Sequence, residues 1–399
     1  MAKHNIVVVG GGFAGVKTAL KLVEDKRFNV TLISRRDDFQ VYGTLYRVST
    51  GGSKQLASIP LTEVFAGKKI NIVIGTASSI DRQARTVTTD DKQVFGYEAV
   101  VLGLGVTTNF FGIEGLEKYS YGIKSPADAE ELKRHLHTQI EKTKQLDLNY
   151  VVVGGGPTGV ELAGALPAYL SKIAQQHGLP KRKIHVDLIE AGPRLIPRMP
   201  KDISRRIARH LRREGVKIYL KTIVQGQTAD NLIINNKPLR SHTVIWTAGV
   251  TNHPFFQTNG FQLTRGGKVR VDQFLQAEPG IYVIGDNADT AYSGMAQTAI
   301  NDALYVSKTL KRIADGKDPN PYHAKKPIYV FPAGPDWAAT LWGPLRIYGR
   351  PAWGLRRLAD LIAYTDYQPL QLATKRWLAD SIEEEFCSHC SSHSLPHPK

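Results

Sequence analysis

Apolar residues fall in short unbroken runs along the chain, and two of these runs end alike. Residues 5–9 (NIVVV) lead into Gly10, Gly11, Gly12, Phe13, Ala14 and Gly15, and residues 149–153 (NYVVV) lead into Gly154, Gly155, Gly156, Pro157, Thr158 and Gly159. A continuous β-branched run of this length predicts a strand buried on both faces of a parallel sheet. A stretch of helical period follows each glycine cluster, and then a second β-branched run, at 30–33 and at 184–189. Polar pairs at Asp90, Asp91 and at Asn235, Asn236 predict hairpin turns. A closing apolar strand comes next in each half, Ala99–Leu102 leading to Gly105 and Thr243–Trp246 leading to Gly249. The same order of elements is thus written twice. Within the second half, residues 201–221 are densely basic. Arg205, Arg209 and Arg212 share one face of a predicted helix there, and Ile203, Ile207 and Leu211 the opposite face.

A single GxGxxG says little, because glycine turns are common. Two of them, each directly after a strand and before a helix, point to two dinucleotide sites. The first glycine permits the tight turn, the second lets a diphosphate approach bare backbone, and the third lets helix pack on strand. The diphosphate then sits at the positive end of the helix. Two such sites fit two cofactors; if hydride passes between them, one is a nicotinamide and the other a flavin. Residues 280–286 (GIYVIGD) read as a further strand ending in an acid, ahead of a helix starting near Met295. Asp286 there either accepts hydrogen bonds from a flavin's ribityl hydroxyls or is a solvated acid at a strand end. The fold class expected is α/β, with two Rossmann-like dinucleotide-binding domains.

Composition narrows the class. A chain of 399 residues, 42% apolar, exceeds one ordinary domain and is neither a disulfide miniprotein, a collagen nor a wholly disordered chain. Cys387 and Cys390 are its 2 cysteines, too few for a disulfide framework or an iron–sulfur cluster; no metal centre is expected. The sequence shows no cationic apolar leader and no long uncharged apolar run, so the expectation is an intracellular protein able to lie on a bilayer without crossing it. Lys and Arg total 52 against 36 acids, a formal charge of +16. That excess favours phosphorylated cofactors, acidic lipid or nucleic acid as neighbours, and nucleic acid is not the partner chosen. The basic face of 201–221 reads as a solvated outer surface, with electrostatic steering of a dinucleotide as the alternative.

The segments VVVGGGFAG from Val7, VVVGGGPTGVELAG from Val151, TVIWTAGV from Thr243, GIYVIGDNAD from Gly280 and AQTA from Ala296 carry a family resemblance. In wording and order they resemble the two-dinucleotide-domain flavoproteins, and among these the type II NADH dehydrogenases, single-chain NADH:quinone oxidoreductases. The likeness spans residues 4–315. It implies a glutathione-reductase-like arrangement with the second domain nested in the first: an FAD-binding domain from 1–112 and 251–316, an NADH-binding domain at 113–250, a carboxyl-terminal segment at 317–380 that attaches to the membrane or dimerises, and a tail at 381–399. Cofactor-binding positions implied are Gly10, Gly12, Phe13, Ala14, Gly15, Ser34, Arg35, Gly105, Gly154, Gly156, Pro157, Thr158, Gly159, Glu190, Gly249, Gly285, Asp286, Ala296 and Gln297. FAD lies on the first glycine loop and Asp286, and NADH on the second loop. Catalytic positions implied are Glu161, between nicotinamide and flavin, Gln297, bordering the flavin ring and a quinone pocket, and Asn301, one helical turn on, where members have a second Gln. A Glu early in a helix is also favourable with the dipole alone, which leaves a structural reading of Glu161 open.

Departures from the family pattern stand at several places. Ser34, Arg35 and Arg36 occupy the end of the second strand, where an acid for the FAD ribose is expected, and Ser34 offers only a hydroxyl. Tyr42 and Gly43 replace a Gln-Pro pair along the flavin, and Ala303 replaces a glycine. Glu190 supplies the acid of the second domain, which favours NADH over NADPH, while Arg194 nearby leaves room for a 2′-phosphate.

Past Asp315 a linker at 318–327 precedes a segment rich in aromatic and basic residues. A helix around 352–364 gathers Leu355, Leu358, Leu361 and Ile362 on one side and Arg356, Arg357 and Asp360 on the other. This predicts a helix lying in a headgroup layer with its arginines on anionic lipid; a core helix or a homodimer surface are the alternatives. In the tail, Cys387 and Cys390 with His389, His393 and His397 are open between a functionless end, a thiol relay and a metal site. The activity expected is transfer of hydride from NADH to FAD and of two electrons to a quinone, by a peripheral enzyme on the cytoplasmic face of the cell membrane. The rivals are a flavoprotein reductase of thiols or of a small redox protein using the cysteine pair, and a non-catalytic flavin-binding interaction protein.

Overall fold

The computed structural model describes residues 3–180 and 184–379. Its two largest sheets are built from the repeated strands. In the six-stranded sheet the order in space is Gln276–Glu278, Ile281–Val283, Ala99–Leu102, His4–Val9, Phe28–Ser34 and Asn71–Ile74, parallel throughout except for the first pair. In the four-stranded sheet it is Val216–Leu220, Val186–Glu190, Tyr150–Val153 and Thr243–Trp246, all parallel. The first sheet takes strands from before and after the stretch that forms the second, so the second doubly wound unit is an insertion within the first. This is the α/β class expected.

Alternation along each central strand explains its two coats. Ile6 and Val8 face a layer shared with Val16 and Ala19 of helix Phe13–Leu22 and Ala303 and Val306 of helix Ala296–Ala314. Val7 and Val9 face Ile80 and Val87 of a three-stranded antiparallel meander. The second sheet repeats the scheme, with helices Pro157–Gln176 and Lys201–Arg213 on one face and the meander Val224–Gln227, Asn231–Ile234, Lys237–Arg240 on the other. Both expected hairpins form; Asn235 and Asn236 take φ of 45° and 62°, left-handed values that a two-residue hairpin turn requires. The basic helix stops at Arg213, because Gly215 at φ 88° turns the chain into the next strand. Ile203, Ile207 and Leu211 are buried in it, and Arg205, Arg209 and Arg212 are exposed.

The carboxyl-terminal part consists of a three-stranded antiparallel sheet, Tyr329–Pro332, Ala338–Trp342 and Leu345–Gly349, then helices Arg350–Thr365 and Leu370–Leu378. Here one expectation is overturned. Arg356 and Asp360 do not point toward a headgroup layer: their side chains are 11% and 9% exposed and ion-paired inside the protein, whereas Leu358 and Ile362 face outward at 52% and 55%. The amphipathic pattern is real but inverted, because the polar face finds charged partners in the interior that the sequence does not reveal. Arg357 is likewise engaged, its guanidinium over the rings of Trp353 and Trp377 at 5.8 and 4.5 Å. Tyr364 is buried and donates to the Leu56 carbonyl at 2.7 Å, which pins the helix to the first unit. Among the described residues no helix is long and apolar enough to cross a membrane. The expectations for Cys387 and Cys390 lie outside the described residues.

Candidate functional site

Both glycine turns sit at the carboxyl ends of their sheets, where a strand hands over to a helix. Gly10 and Gly154 take φ of 116° and 114°, and in this region a side chain is strained. A Cβ on Gly15 would lie 1.9 Å from the Gly10 carbonyl oxygen, and one on Gly159 would lie 1.9 Å from that of Gly154. These four glycines are therefore demanded by the fold itself. Gly12 and Gly156 are different. They take ordinary extended conformations, φ −93° and −75°, at the caps of helices Phe13–Leu22 and Pro157–Gln176. A Cβ on either would meet nothing within 4 Å. Neither helix has a side-chain cap, so its first N–H groups are left for something outside the chain. Bare backbone facing open space at a positive helix end fits a diphosphate in both copies.

Around the first cradle the structure gathers Gly103, Gly285 and the start of helix Ala296–Ala314: a Cβ on Gly285 would lie 3.3 Å from that of Ala14 and 3.6 Å from that of Ala299. Gly105 exchanges two hydrogen bonds with the Asn287 amide, at 2.7 and 2.6 Å. Asp286 is faced by Lys124 and Lys268. Burial raises its carboxyl above the usual range, which those two ammonium groups oppose; burial in turn lowers both lysines. The residues that brace this turn were not found from the sequence. Asp302, wholly buried, accepts from the Gly285 N–H at 2.9 Å and from the Tyr322 hydroxyl at 2.5 Å. Burial lifts it to about 6. The hydroxyl of Ser34 donates to the Arg36 carbonyl within its own turn at 2.7 Å, and it fills the space beside Gly11, where a Cβ would lie 2.2 Å from it. Arg35 is exposed. Ala296 and Gln297 begin their helix on the surface, with the Gln297 side-chain Oε1 accepting from the Ile328 N–H at 2.9 Å; Asn301 is half-buried one turn on.

Around the second cradle, Glu190 folds its carboxylate back onto the loop, accepting from the Gly155 N–H at 2.7 Å and the Gly192 N–H at 2.5 Å. Gly154 abuts Ala248, and Thr247 Oγ1 would lie 2.7 Å from a Cβ on Gly159. Pro157 and Thr158 open the helix, and Gly249 is overlaid by Phe111 and the Asn109 carbonyl. Arg194 is turned away into carbonyls of its own loop, those of Pro197 and Met199.

Glu161 lies in the first turns of helix Pro157–Gln176, buried where that helix meets the first unit. It has a partner that sequence reasoning missed: Arg356 of the carboxyl-terminal helix, Nη1 to Oε1 3.1 Å. Burial drives the Glu161 carboxyl up to about 7 although Arg356 and Arg47 pull it down, and Asp360 adds to the rise. A carboxyl in that range holds or releases a proton near neutral pH.

The match to the pyridine nucleotide-disulphide oxidoreductase family spans residues 4–303. The chain belongs to that family. Among curated relatives of this oxidoreductase, the type II NADH:quinone oxidoreductase of Staphylococcus saprophyticus is 26% identical over 398 residues, covering 94% of this chain and 98% of that protein. The type II NADH:quinone oxidoreductase of Mycobacterium tuberculosis is 27% identical, covering 88% and 82%. Among solved structures, NDH2 of Plasmodium falciparum in complex with NADH superposes with a TM-score of 0.82 at 18% identity, over 95% of this chain and 97% of that one. The sulfide:quinone oxidoreductase of Aquifex aeolicus follows at 0.78 and 19%, over 95% and 92%. These likenesses show the fold, and with it the paired parallel sheets of this oxidoreductase.

Proposed function

We propose that this oxidoreductase carries FAD on the first cradle and NADH on the second and passes two electrons to a quinone, with NADH, a quinone and one proton giving NAD⁺ and quinol. The observation that carries the reading is the pair Gly12 and Gly156, glycines that nothing in the protein requires and a bound diphosphate does. The naming of relatives matched along most of their length supports the same activity. FAD, when bound, supplies the acceptor for hydride and its onward delivery as two electrons.

The chain's own part is to bind, orient and handle a proton. The loop Gly10–Gly15 with helix Phe13–Leu22 would hold the FAD diphosphate, and Asp286 is placed at the adjoining strand end for ribityl hydroxyls. The loop Gly154–Gly159 would hold the NADH diphosphate, and Glu190 lies at the next strand end for the adenosine ribose. Its negative charge beside Gly155 disfavours the 2′-phosphate of NADPH. Glu161, at the junction of the two units, holds or releases the proton that the stoichiometry requires. Positioning of two planar rings supplies most of the rate. A thiol route finds no support in the body of the chain, since both cysteines lie beyond residue 386.

We further assign the enzyme to a membrane surface, attached from one side. Of 17 large apolar side chains exposed among the described residues, 7 fall between 342 and 378, including Trp342 and Leu345 at a hairpin tip and Leu358, Ile362, Leu370 and Leu378 on the last two helices. Their concentration in one stretch of the chain supports an apolar contact surface there. The test is extraction and identification of the bound cofactor, rapid mixing with NADH and NADPH, and turnover with a short-chain quinone. Yellow protein that bleaches with NADH and turns over quinone is expected; colourless protein unable to take up FAD overturns the reading.

A further inference from the structure

The guanidinium of Arg356 makes three contacts with three different parts of the chain. Nη1 donates to Glu161 of the inserted unit at 3.1 Å, Nε donates to Asp360 of its own helix at 2.9 Å, and Nη2 donates to the backbone carbonyl of Gly43 in the first unit. Asp360 is held in turn by Arg47, Nη2 to Oδ2 3.0 Å, and Arg47 Nε reaches the Tyr46 hydroxyl at 3.0 Å. All four charged side chains are about nine-tenths buried, at 9–11% exposure. A planar fork meets three separated acceptors at once; a lysine ammonium on a flexible stem does not.

Gly43 is fitted to this arrangement. It is not among the residues of positive φ, so the backbone does not ask for glycine. A Cβ there would lie 2.9 Å from Arg356 Nη2, and that nitrogen cannot swing aside without leaving the Gly43 carbonyl. The departure at Tyr42 and Gly43 and the inward turn of the carboxyl-terminal helix are therefore two halves of one contact.

We propose that Arg356 is a positioning residue for the redox site: it fixes the Glu161 carboxyl where the two nucleotide-binding units meet, and so makes the carboxyl-terminal helix a working part of that site. The inference rests on the function proposed above for its catalytic meaning, but the ion pair is testable without turnover. The charged and titratable groups facing Glu161 are Arg356 and Asp360 from the carboxyl-terminal helix and Arg47 and Tyr46 from helix Leu45–Ser49. Removing Arg356 deletes the cation bonded to Glu161 and leaves burial and Asp360 pushing its carboxyl upward against Arg47 alone, so the carboxyl rises.

The experiment compares wild type with Arg356→Met, Arg356→Lys, Gly43→Ala and the double variant Arg356→Met/Gly43→Ala. The first readout is the infrared carbonyl band of a protonated carboxylic acid, assigned to Glu161 by its loss in Glu161→Gln and followed against pH in the flavin-loaded protein. Its midpoint is expected to rise by roughly 1–3 units in Arg356→Met, to move less in Arg356→Lys, and to rise in Gly43→Ala, with the double variant no further shifted than Arg356→Met alone. The second readout is the pH profile of kcat with a short-chain quinone, whose inflection should move with the infrared midpoint while KM for NADH changes by less than about twofold. An infrared midpoint unmoved in Arg356→Met, or additive shifts in the double variant, overturns the assignment. Should wild type fail to turn over, the activity proposed above falls, and the infrared titration still decides whether Arg356 governs Glu161.

Discussion

The sharpest perturbation available is a single methyl group at Gly12 or Gly156. Both residues have φ values that alanine adopts freely, and an added Cβ meets no protein atom within 4 Å. Alanine is a poorer helix cap than glycine but lowers the freedom of the unfolded chain. The two effects oppose each other, so the net change in stability is within about 1 kcal/mol. In a chain of this size that moves Tm by about 2 °C or less. The same methyl group intrudes where a diphosphate approaches bare N–H groups. Losing one hydrogen bond to a charged group is worth about 1.5–3 kcal/mol, which weakens binding by roughly 10- to 150-fold. Gly12→Ala is therefore expected to fold normally and purify with little flavin, and apo protein titrated with FAD should show the loss as a raised Kd. Gly156→Ala should keep its flavin spectrum and raise KM for NADH by the same factor. Gly15→Ala is the control: its methyl group would lie 1.9 Å from a backbone oxygen, so it should lose stability first and flavin only as a consequence. A Gly12→Ala protein that takes up FAD with wild-type affinity would refute the cradle.

Three further outcomes follow from particular contacts. Glu190→Ala removes the negative charge beside the second loop, and should lower kcat/KM for NADH about tenfold or more while raising the NADPH-to-NADH preference; steady-state kinetics with both nucleotides check it, and an unchanged ratio counts against the ribose assignment. Asp302 titrates at about 6 in the folded protein against 3.8 for the free side chain. The folded state thus binds its proton more tightly, and stability falls as pH rises through that window, by at most about 3 kcal/mol for this group. Asp302→Asn, keeping both hydrogen-bonded neighbours supplied, should flatten the dependence and raise Tm at pH 8 relative to wild type; calorimetry at pH 5 and pH 8 measures this, and parallel curves for the two proteins would exclude it. Finally, wild type is expected to float with anionic vesicles, and the double substitution Leu358→Glu, Ile362→Glu on the outer face should abolish that flotation while leaving Tm and soluble NADH oxidation unchanged. Flotation surviving both charges would remove that face from the contact.

The repeated plan was legible because it rests on short-range causes. A β-branched run, a glycine at φ near 115° and a helix must follow one another closely, so strands His4–Val9 and Tyr150–Val153 announce themselves within a dozen residues. Even Asn235 and Asn236 declared their turn by residue type. What could not be read depends on which partners the fold brings together, some of them hundreds of residues apart. Arg356 and Asp360 stand four apart on a helix whose pattern is the same whether the polar side faces water or the interior; only Glu161 and the Gly43 carbonyl decide, and they come from elsewhere in the chain. Asp302 carries no signal in the sequence, yet it pins Gly285 and Tyr322. Ser34 was expected to offer its hydroxyl to a ribose, and in the structure that hydroxyl serves its own turn. The lysines facing Asp286 had no signal in the sequence beyond their charge.

The inverted helix has a practical corollary. Trimming the apolar carboxyl-terminal end would carry away the guanidinium clamped on Glu161 together with the exposed leucines. Handling in solution is better improved by recolouring the outer side of Arg350–Thr365 residue by residue, leaving its inner side untouched.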